Sequence, residues 1–331
     1  MIKHIFKLFC RILVFLSLAV ATIFVISCSA ALSQTQLPNE IAKNPETYFC
    51  PRNDCGKVLE SSVNSANSSV HCAVYDINLK NVIGSLSEKS RTADVKIVMD
   101  GSNSHGQIKG NGMRVDTDNQ LMHNKFCVID KRIVLTGSFN PTENDNLRNN
   151  NNLIVIYSKS IAENYEDEFG ELWNGIFGGG NKVRHPVAYV NGIKIENYFC
   201  PEDNCASHIA EMIYGAKSSV YFMDFSFTSS EIANAIIAKK SLDTKGVVDS
   251  MQAAGKFSQL KALQQAGVNV KKDSNKYKMH HKVFIVDNET IATGSFNPTV
   301  SGDDRNDENI LIIHDRNITR DYLKEFDEIF K

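Results

Sequence analysis

Hydrophobic positions along the chain follow three patterns. The first is a charge-free apolar stretch from Ile12 to about Leu32, preceded by Lys3, His4, Lys7 and Arg11. The second is a set of short β-rich runs, among them residues 125–129, 133–136, 220–225, 282–286 and 290–293. The third has helical period: residues 209–216 and 230–239, and the acidic amphipathic segments 165–177 and 322–330. Short apolar runs alternating with helix-period stretches predict an α/β fold, layered around a mixed sheet. Asn191-Gly192, set between residues 187–190 and 193–195, predicts a tight hairpin.

The apolar amino terminus is long enough for a bilayer-spanning helix of ~20 residues, and its basic flank is the secretory pattern. Three outcomes fit: cleavage near Ser29 to Ala31, retention as an anchor, or lipidation of Cys28, which follows Val25-Ile26-Ser27 as in a lipoprotein signal. Each places the body outside the cytoplasm, secreted or anchored to a membrane.

The body is a duplication. Tyr48-Phe49-Cys50-Pro51 returns as Tyr198-Phe199-Cys200-Pro201, and Ser68-Ser69-Val70 as Ser218-Ser219-Val220. Met122-His123-Asn124-Lys125 returns as Met279-His280-His281-Lys282. The expected organisation is an export or anchor segment (1–36), a linker (37–47), a first unit (48–177), a linker with hairpin (178–197) and a second unit (198–331). Both halves of a shared site would then come from one chain, so a monomer suffices.

Chemistry concentrates on one repeated hairpin. His123, Lys125 and Asp130 recur as His280, Lys282 and Asp287, each followed by Gly-Ser-Phe-Asn at 137–140 and 294–297. Residues two apart on a strand share a face, so each His and its Lys point the same way. The returning strand brings Ser138 and Asn140, or Ser295 and Asn297, back beside them. An imidazole, an ammonium, a hydroxyl and an amide thus converge in each unit. They form an anion site with a nucleophile or proton shuttle.

At these residues the chain resembles the phospholipase D superfamily, whose signature is a paired HxKxxxxD. The resemblance implies two α/β/α sandwich units related by a pseudo-twofold axis, one composite active site, and hydrolysis through a phosphohistidine without metal or cofactor. It implies catalytic roles for His123, Lys125, His280 and Lys282, with Ser138, Asn140, Ser295 and Asn297 at the phosphate. Asp130 and Asp287 belong to the catalytic motif, although a hairpin turn is a place for holding structure. The family often has an acid about 28 residues after the His to orient the imidazole. Glu308 fits that place for His280, while His123 has Asn151. This pairing predicts the higher pKa for His280. Family habit makes His123 the nucleophile; the departure leaves His280 open.

Composition then narrows the partners. The chain has 331 residues and a formal charge of −2, but its first 36 residues hold three of the 36 Lys and Arg and none of the 38 acids. The body is therefore mildly acidic, and recognition of a phosphodiester, in nucleic acid or phospholipid, must be local. Small repeats without long insertions slightly favour an endonuclease; the acidic body and membrane-proximal address suit a phospholipase D or cardiolipin-type hydrolase or a phosphatidyltransferase. An inactive phosphate- or lipid-binding surface protein is the reading of another class. Cys50 and Cys55, and Cys200 and Cys205, fit two local disulfides in an exported protein, with a four-thiolate zinc site as the alternative. Cys72 and Cys127 read as buried packing residues. Lys271-Lys272 and Lys276 to Lys278 read as a solvated loop, with a flank to an anionic substrate as the alternative. No Walker loop, HExxH or Gly-x-Ser-x-Gly elbow occurs, which leaves kinase, zinc-protease and lipase-triad readings without support.

Overall fold

The computed structural model describes residues 37–104, 106 and 112–331. The expected export or anchor segment, with Cys28, lies outside the described residues. Among those described, no helix is long and apolar enough to cross a membrane. Residues Pro38–Lys331 form one compact unit.

Among the described residues β1 (Asn39–Glu40) comes first, and the first repeat supplies β2 to β8. These are β2 (Glu46–Cys50), β3 (Ser69–Val74), β4 (Asp94–Asp100), β5 (Met113–Asp116), β6 (Lys125–Ile129), β7 (Ile133–Gly137) and β8 (Asn151–Tyr157). The second supplies β9 (Val187–Val190), β10 (Ile193–Cys200), β11 (Ser219–Asp224), β12 (Asp243–Val248), β13 (Asn269–Lys272), β14 (Lys282–Val286), β15 (Thr290–Gly294) and β16 (Glu308–His314). One sheet runs β2-β8-β7-β6-β3-β4-β5, the other β1-β9-β10-β16-β15-β14-β11-β12-β13. The last seven strands of the second sheet repeat the order of the first, so the duplication in sequence is a duplication in topology. The expected linkers are partly strand: β1 pairs parallel with β9, and β9 with β10 extends the second sheet. Asn191 and Gly192 both have positive φ, as the two-residue hairpin requires.

Three apolar cores make the layers. A central one lies between the sheets, where Ala73, Phe126 and Val128 meet Met223, Val283 and Ile285. Helices Lys159–Trp173 and Arg316–Phe330 close it, and each reaches the other repeat: Tyr165 packs edge-on to Phe199 at 5.0 Å, and Tyr322 to Phe49 at 5.0 Å. Burying such a side chain is worth about 1.5–3 kcal/mol, and here that energy joins the two repeats. The outer core of the first repeat lies under helices Cys55–Ser65 and Lys80–Lys89, that of the second under Cys205–Tyr214, Ser230–Ala238 and Leu260–Gln265.

Cys50 and Cys55 are disulfide-bonded, as are Cys200 and Cys205, which removes the thiolates a zinc site would need. Cys72 and Cys127 are also bonded to each other, which corrects their reading as packing residues. They face one another in the β3–β6 register. The equivalent pair in the second repeat is Phe222 opposite Phe284, two stacked rings 6.2 Å apart.

Candidate active site

β6 and β14 each begin at the Lys of the motif and turn back through residues of positive φ, Asp130-Lys131 and Asp287-Asn288. Cys127 opposes Leu135 and Val283 opposes Thr293, so the Gly-Ser-Phe-Asn segments return beside the His-x-Lys segments. Two bridges then join the repeats at the site. His123 N–H donates to the carbonyl of Asp307 (3.0 Å), and His280 N–H to that of Asn150 (2.9 Å).

Those bridges carry each histidine to the start of the other repeat's last strand. Nδ1 of His123 lies 2.8 Å from both carboxylate oxygens of Glu308, and Nδ1 of His280 lies 2.7 Å from Oδ1 of Asn151. The within-repeat pairing read from the sequence is therefore corrected: Glu308 orients His123, and Asn151 orients His280. The expected order of the pKa values is reversed with it. Burial lowers His123, and Glu308 pulls it back up. Burial lowers His280 well below its ordinary value, and Lys282, Lys125 and His123 push it the same way.

A carboxylate does stand near His280, one that spacing did not point to. Asp145 Oδ2 lies 3.6 Å from its Nδ1, while accepting from the backbone N–H and side-chain amide of Asn140 at 2.9 and 2.8 Å. Its only signal in sequence is a departure between repeats, because Gly302 occupies the matching place. A Cβ at Gly302 would lie 2.3 Å from the carbonyl of Asn297.

Lys125 and Lys282 are buried. Each Nζ donates to the carbonyl of its own His, at 2.6 and 2.8 Å, and lies over an aromatic ring, Tyr75 or Phe225, at 5.1 Å. Burial brings Lys125 down to about 7 and Lys282 to about 8. The same rings meet the imidazoles edge-on, Tyr75 to His123 at 4.8 Å and Phe225 to His280 at 4.9 Å.

Asn140 and Asn297 line the cleft, and each has a buried amide oxygen without a partner. Ser138 and Ser295, expected at the phosphate, are fully buried and hold the orienting residues instead. Ser295 donates to Glu308 (2.6 Å) and accepts from Asn309 N–H (3.0 Å); Ser138 shares its O–H between Oδ1 of Asn151 (3.3 Å) and Oδ1 of Asn152 (3.1 Å) and accepts from Asn152 N–H (3.0 Å). Beneath them Asn152 donates to Thr293 and Asn309 to Asn124, both across the repeat boundary. Asp130 and Asp287 lie at the far ends of their strands, ~16 Å along from the Lys at 3.3 Å per residue. Each carboxylate accepts three backbone N–H groups, Asp130 from Asn67, Ser68 and Ser69, Asp287 from Lys217, Ser218 and Ser219.

The cleft has a volume of about 670 Å³ and is lined by both repeats: His123, Asn140 and Asn149 on one side, His280, Asn297 and Asn306 on the other. Lys276, Tyr277 and Lys278 stand in its wall, so that loop is more than a solvated one. Among the described residues, the group of acids that could converge on a cation is Glu168, Glu171 and Glu202, none of which lines the cleft.

Residues 59–173 and 209–330 each match the family of the cardiolipin synthase, PLD-like domain. Together they cover most of the chain, which therefore belongs to the phospholipase D superfamily and is a phosphodiester hydrolase of it. A Rickettsia prowazekii protein named phospholipase D is 32% identical over 144 residues, 43% of this chain and 70% of that protein. A Xenopus laevis protein named mitochondrial cardiolipin hydrolase is 34% identical over 137 residues, 40% of this chain and 65% of that protein. The crystal structure of phosphatidylserine synthase from Haemophilus influenzae Rd KW20 matches 89% of this chain and 88% of its own, with a TM-score of 0.67 and 11% identity, a likeness of fold.

Proposed function

We propose that this protein hydrolyses the headgroup phosphodiester of a phospholipid through a phosphohistidine, without metal, in a site built from both repeats. The observation that carries the chemistry is the crossed pair His123–Glu308 and His280–Asn151 facing one cleft. With each Nδ1 held, each Nε2 is presented to the cleft. His123 attacks phosphorus through Nε2, and Glu308 steadies the cation that the phosphorylated ring becomes. The bond from phosphorus to the leaving oxygen breaks as His280 gives that oxygen a proton. A water then loses its proton to His280 and attacks phosphorus, the N–P bond breaks, and the phosphate monoester leaves. Lys125 and Lys282 offset the charge on the non-bridging oxygens throughout.

Lipid is the favoured substrate because relatives above 30% identity are named phospholipase D and cardiolipin hydrolase. Nucleic acid is the second reading, supported by the basic and aromatic wall Lys276-Tyr277-Lys278. The apolar, basic-flanked amino terminus and three disulfides support an exported body tethered to or released from a membrane. Turnover of phosphatidylcholine and cardiolipin vesicles, single-stranded DNA and RNA in EDTA tests the reading. Lipid cleavage that is lost in His123→Ala and in His280→Ala is expected. Cleavage of nucleic acid alone would overturn the substrate, and activity surviving either substitution would overturn the mechanism.

A further inference from the structure

Large apolar side chains exposed to solvent gather at the mouth of the catalytic cleft. Met251 and Tyr277 line it; Leu147 follows the lining residue Asp145 on one short helix, and Val300 sits between the lining residues Thr299 and Ser301. Their exposures run from 41% for Tyr277 to 63% for Leu147. An exposed apolar set around a polar cleft marks an interaction surface.

Cations accompany these side chains. Lys276 lies over the ring of Tyr277 at 5.3 Å, and Arg148 over the same ring at 5.5 Å. Lys278 lies over Phe225 at 5.6 Å, inside the mouth. The acids lining the cleft are Asp76 and Asp145, and Asp145 is buried and spent on Asn140 and Asn149. The edge of the mouth formed by Arg148, Lys276 and Lys278 is thus positive, on a body that is acidic as a whole.

We propose that this rim is a docking surface for an anionic lipid bilayer, seating the cleft mouth on the headgroup layer. The proposal rests on the lipid reading of the site and adds how the site meets its substrate. Side-chain shape separates the two polyanions that a positive rim could bind. Single-stranded nucleic acid is held by stacking bases on flat rings. Leu147, Met251 and Val300 have no ring to offer, whereas side chains of this kind, interspersed with Lys and Arg, enter the headgroup and acyl boundary. A lysine near an anionic surface strengthens partition about fivefold.

The test uses the full chain with Met251→Trp as a local probe, read against the parent chain with its own Trp173. The chain is added to vesicles of phosphatidylcholine, or of phosphatidylcholine with phosphatidylglycerol, carrying brominated acyl chains. Because the probe reports on the rim, membrane binding by the amino terminus does not imitate the result. Quenching of the introduced indole on the anionic vesicles is expected, reduced by about 25-fold in effective partition when Arg148→Gln and Lys276→Gln are added. Absence of quenching, equal quenching on purely neutral vesicles, or a spectral shift with single-stranded DNA in its place overturns the proposal. Hydrolysis of a short-chain phospholipid dissolved as monomers is measured beside it. Turnover without quenching defeats the docking surface alone, and quenching without turnover defeats the lipid-hydrolase reading alone.

Discussion

Glu308 and His123 are 185 positions apart in the chain, yet both carboxylate oxygens stand 2.8 Å from the imidazole Nδ1. The carboxylate hydrogen-bonded to this motif histidine therefore comes from the opposite repeat. His280 has an amide in that place. A carboxylate stabilises the imidazolium and an amide oxygen does so far less, so the histidines are inequivalent. His123 is expected to titrate at the higher pH of the two in imidazole NMR spectra. Glu308→Gln should lower the His123 value and cut kcat about 10²-fold or more, with Glu308→Asp restoring part of both. A His280 value above that of His123 would contradict the crossed pairing.

Converting Asn151 to Asp tests the other arm. It would place a carboxylate beneath His280, whose pKa is held down by burial and by Lys282 and Lys125. A new negative charge there favours the protonated ring. If His280 is the proton donor to the leaving group, its acid form then persists to higher pH. The alkaline limb of kcat should move upward in Asn151→Asp, with the acid limb little changed. An unmoved alkaline limb would show that the proton comes from another group.

The spacing of the motifs made much of this site legible. Paired His-x-Lys motifs, strand-type runs at 125–129 and 282–286, and turns at Asp130 and Asp287 are local signals, and each appears in the structure at those residues. The pairing of Glu308 was not legible, because distance along a chain says nothing about which copy of a histidine a strand end faces. That is set by the His123–Asp307 and His280–Asn150 bridges, which exist only after the repeats dock. Ser138 and Ser295 misled for a related reason: a hydroxyl one strand away from a Lys can face the phosphate or the residue that holds the His. Asp145 was visible only as a difference from Gly302.

Lys125 and Lys282 are expected to set an alkaline limit on the binding of an anionic substrate. Burial lowers them to about 7 and about 8, so both ammonium charges fade as pH rises through that window. An anionic phosphodiester then loses its partners, and KM is expected to rise between pH 7 and 9. Folding responds with the opposite sign. The unfolded lysines titrate near ~10.4, so in this window the unfolded chain binds more protons and these two groups add stability as pH rises. A thermal melt at pH 7 and pH 9 beside the kinetic profile checks the separation: KM climbs while these residues cause no fall in Tm.

Asp130 belongs to folding rather than to chemistry. Its carboxylate receives the N–H groups of Asn67, Ser68 and Ser69, and those bonds lower its pKa against the opposing effect of burial. Depression of a carboxylate pKa stabilises the fold above the unfolded value of ~3.9, and the stabilisation is lost as pH falls through the folded value. Asp130→Asn is expected to cost about 1–2 kcal/mol at neutral pH, with less difference from the parent at pH 3. Turnover per folded molecule should be unchanged at 20 °C. A large loss of kcat in a variant that melts normally would restore Asp130 to the catalytic set.

The two repeats use different means to hold the strand pair behind each lysine. In the first, Cys72 on β3 is bonded to Cys127 on β6, two residues beyond Lys125. In the second, Phe222 stacks on Phe284 at the same place, and Gly246 on the neighbouring strand leaves room for the ring, since a Cβ there would lie 2.0 Å from it. Loss of the Cys72–Cys127 bond therefore acts on one side of the site alone. The Cys72–Cys127 bond closes a span of 55 residues, for which a stabilisation of about 2–4 kcal/mol is usual. Cys72→Ala/Cys127→Ala should lose about that much and speed amide exchange in β3 and β6, while exchange in β11 and β14 stays slow. Because Lys125 opens β6, KM is expected to rise with it, through a looser ammonium position rather than a changed charge. Equal exchange in both repeats would mean that the disulfide adds nothing beyond the packing that two phenylalanines supply next door.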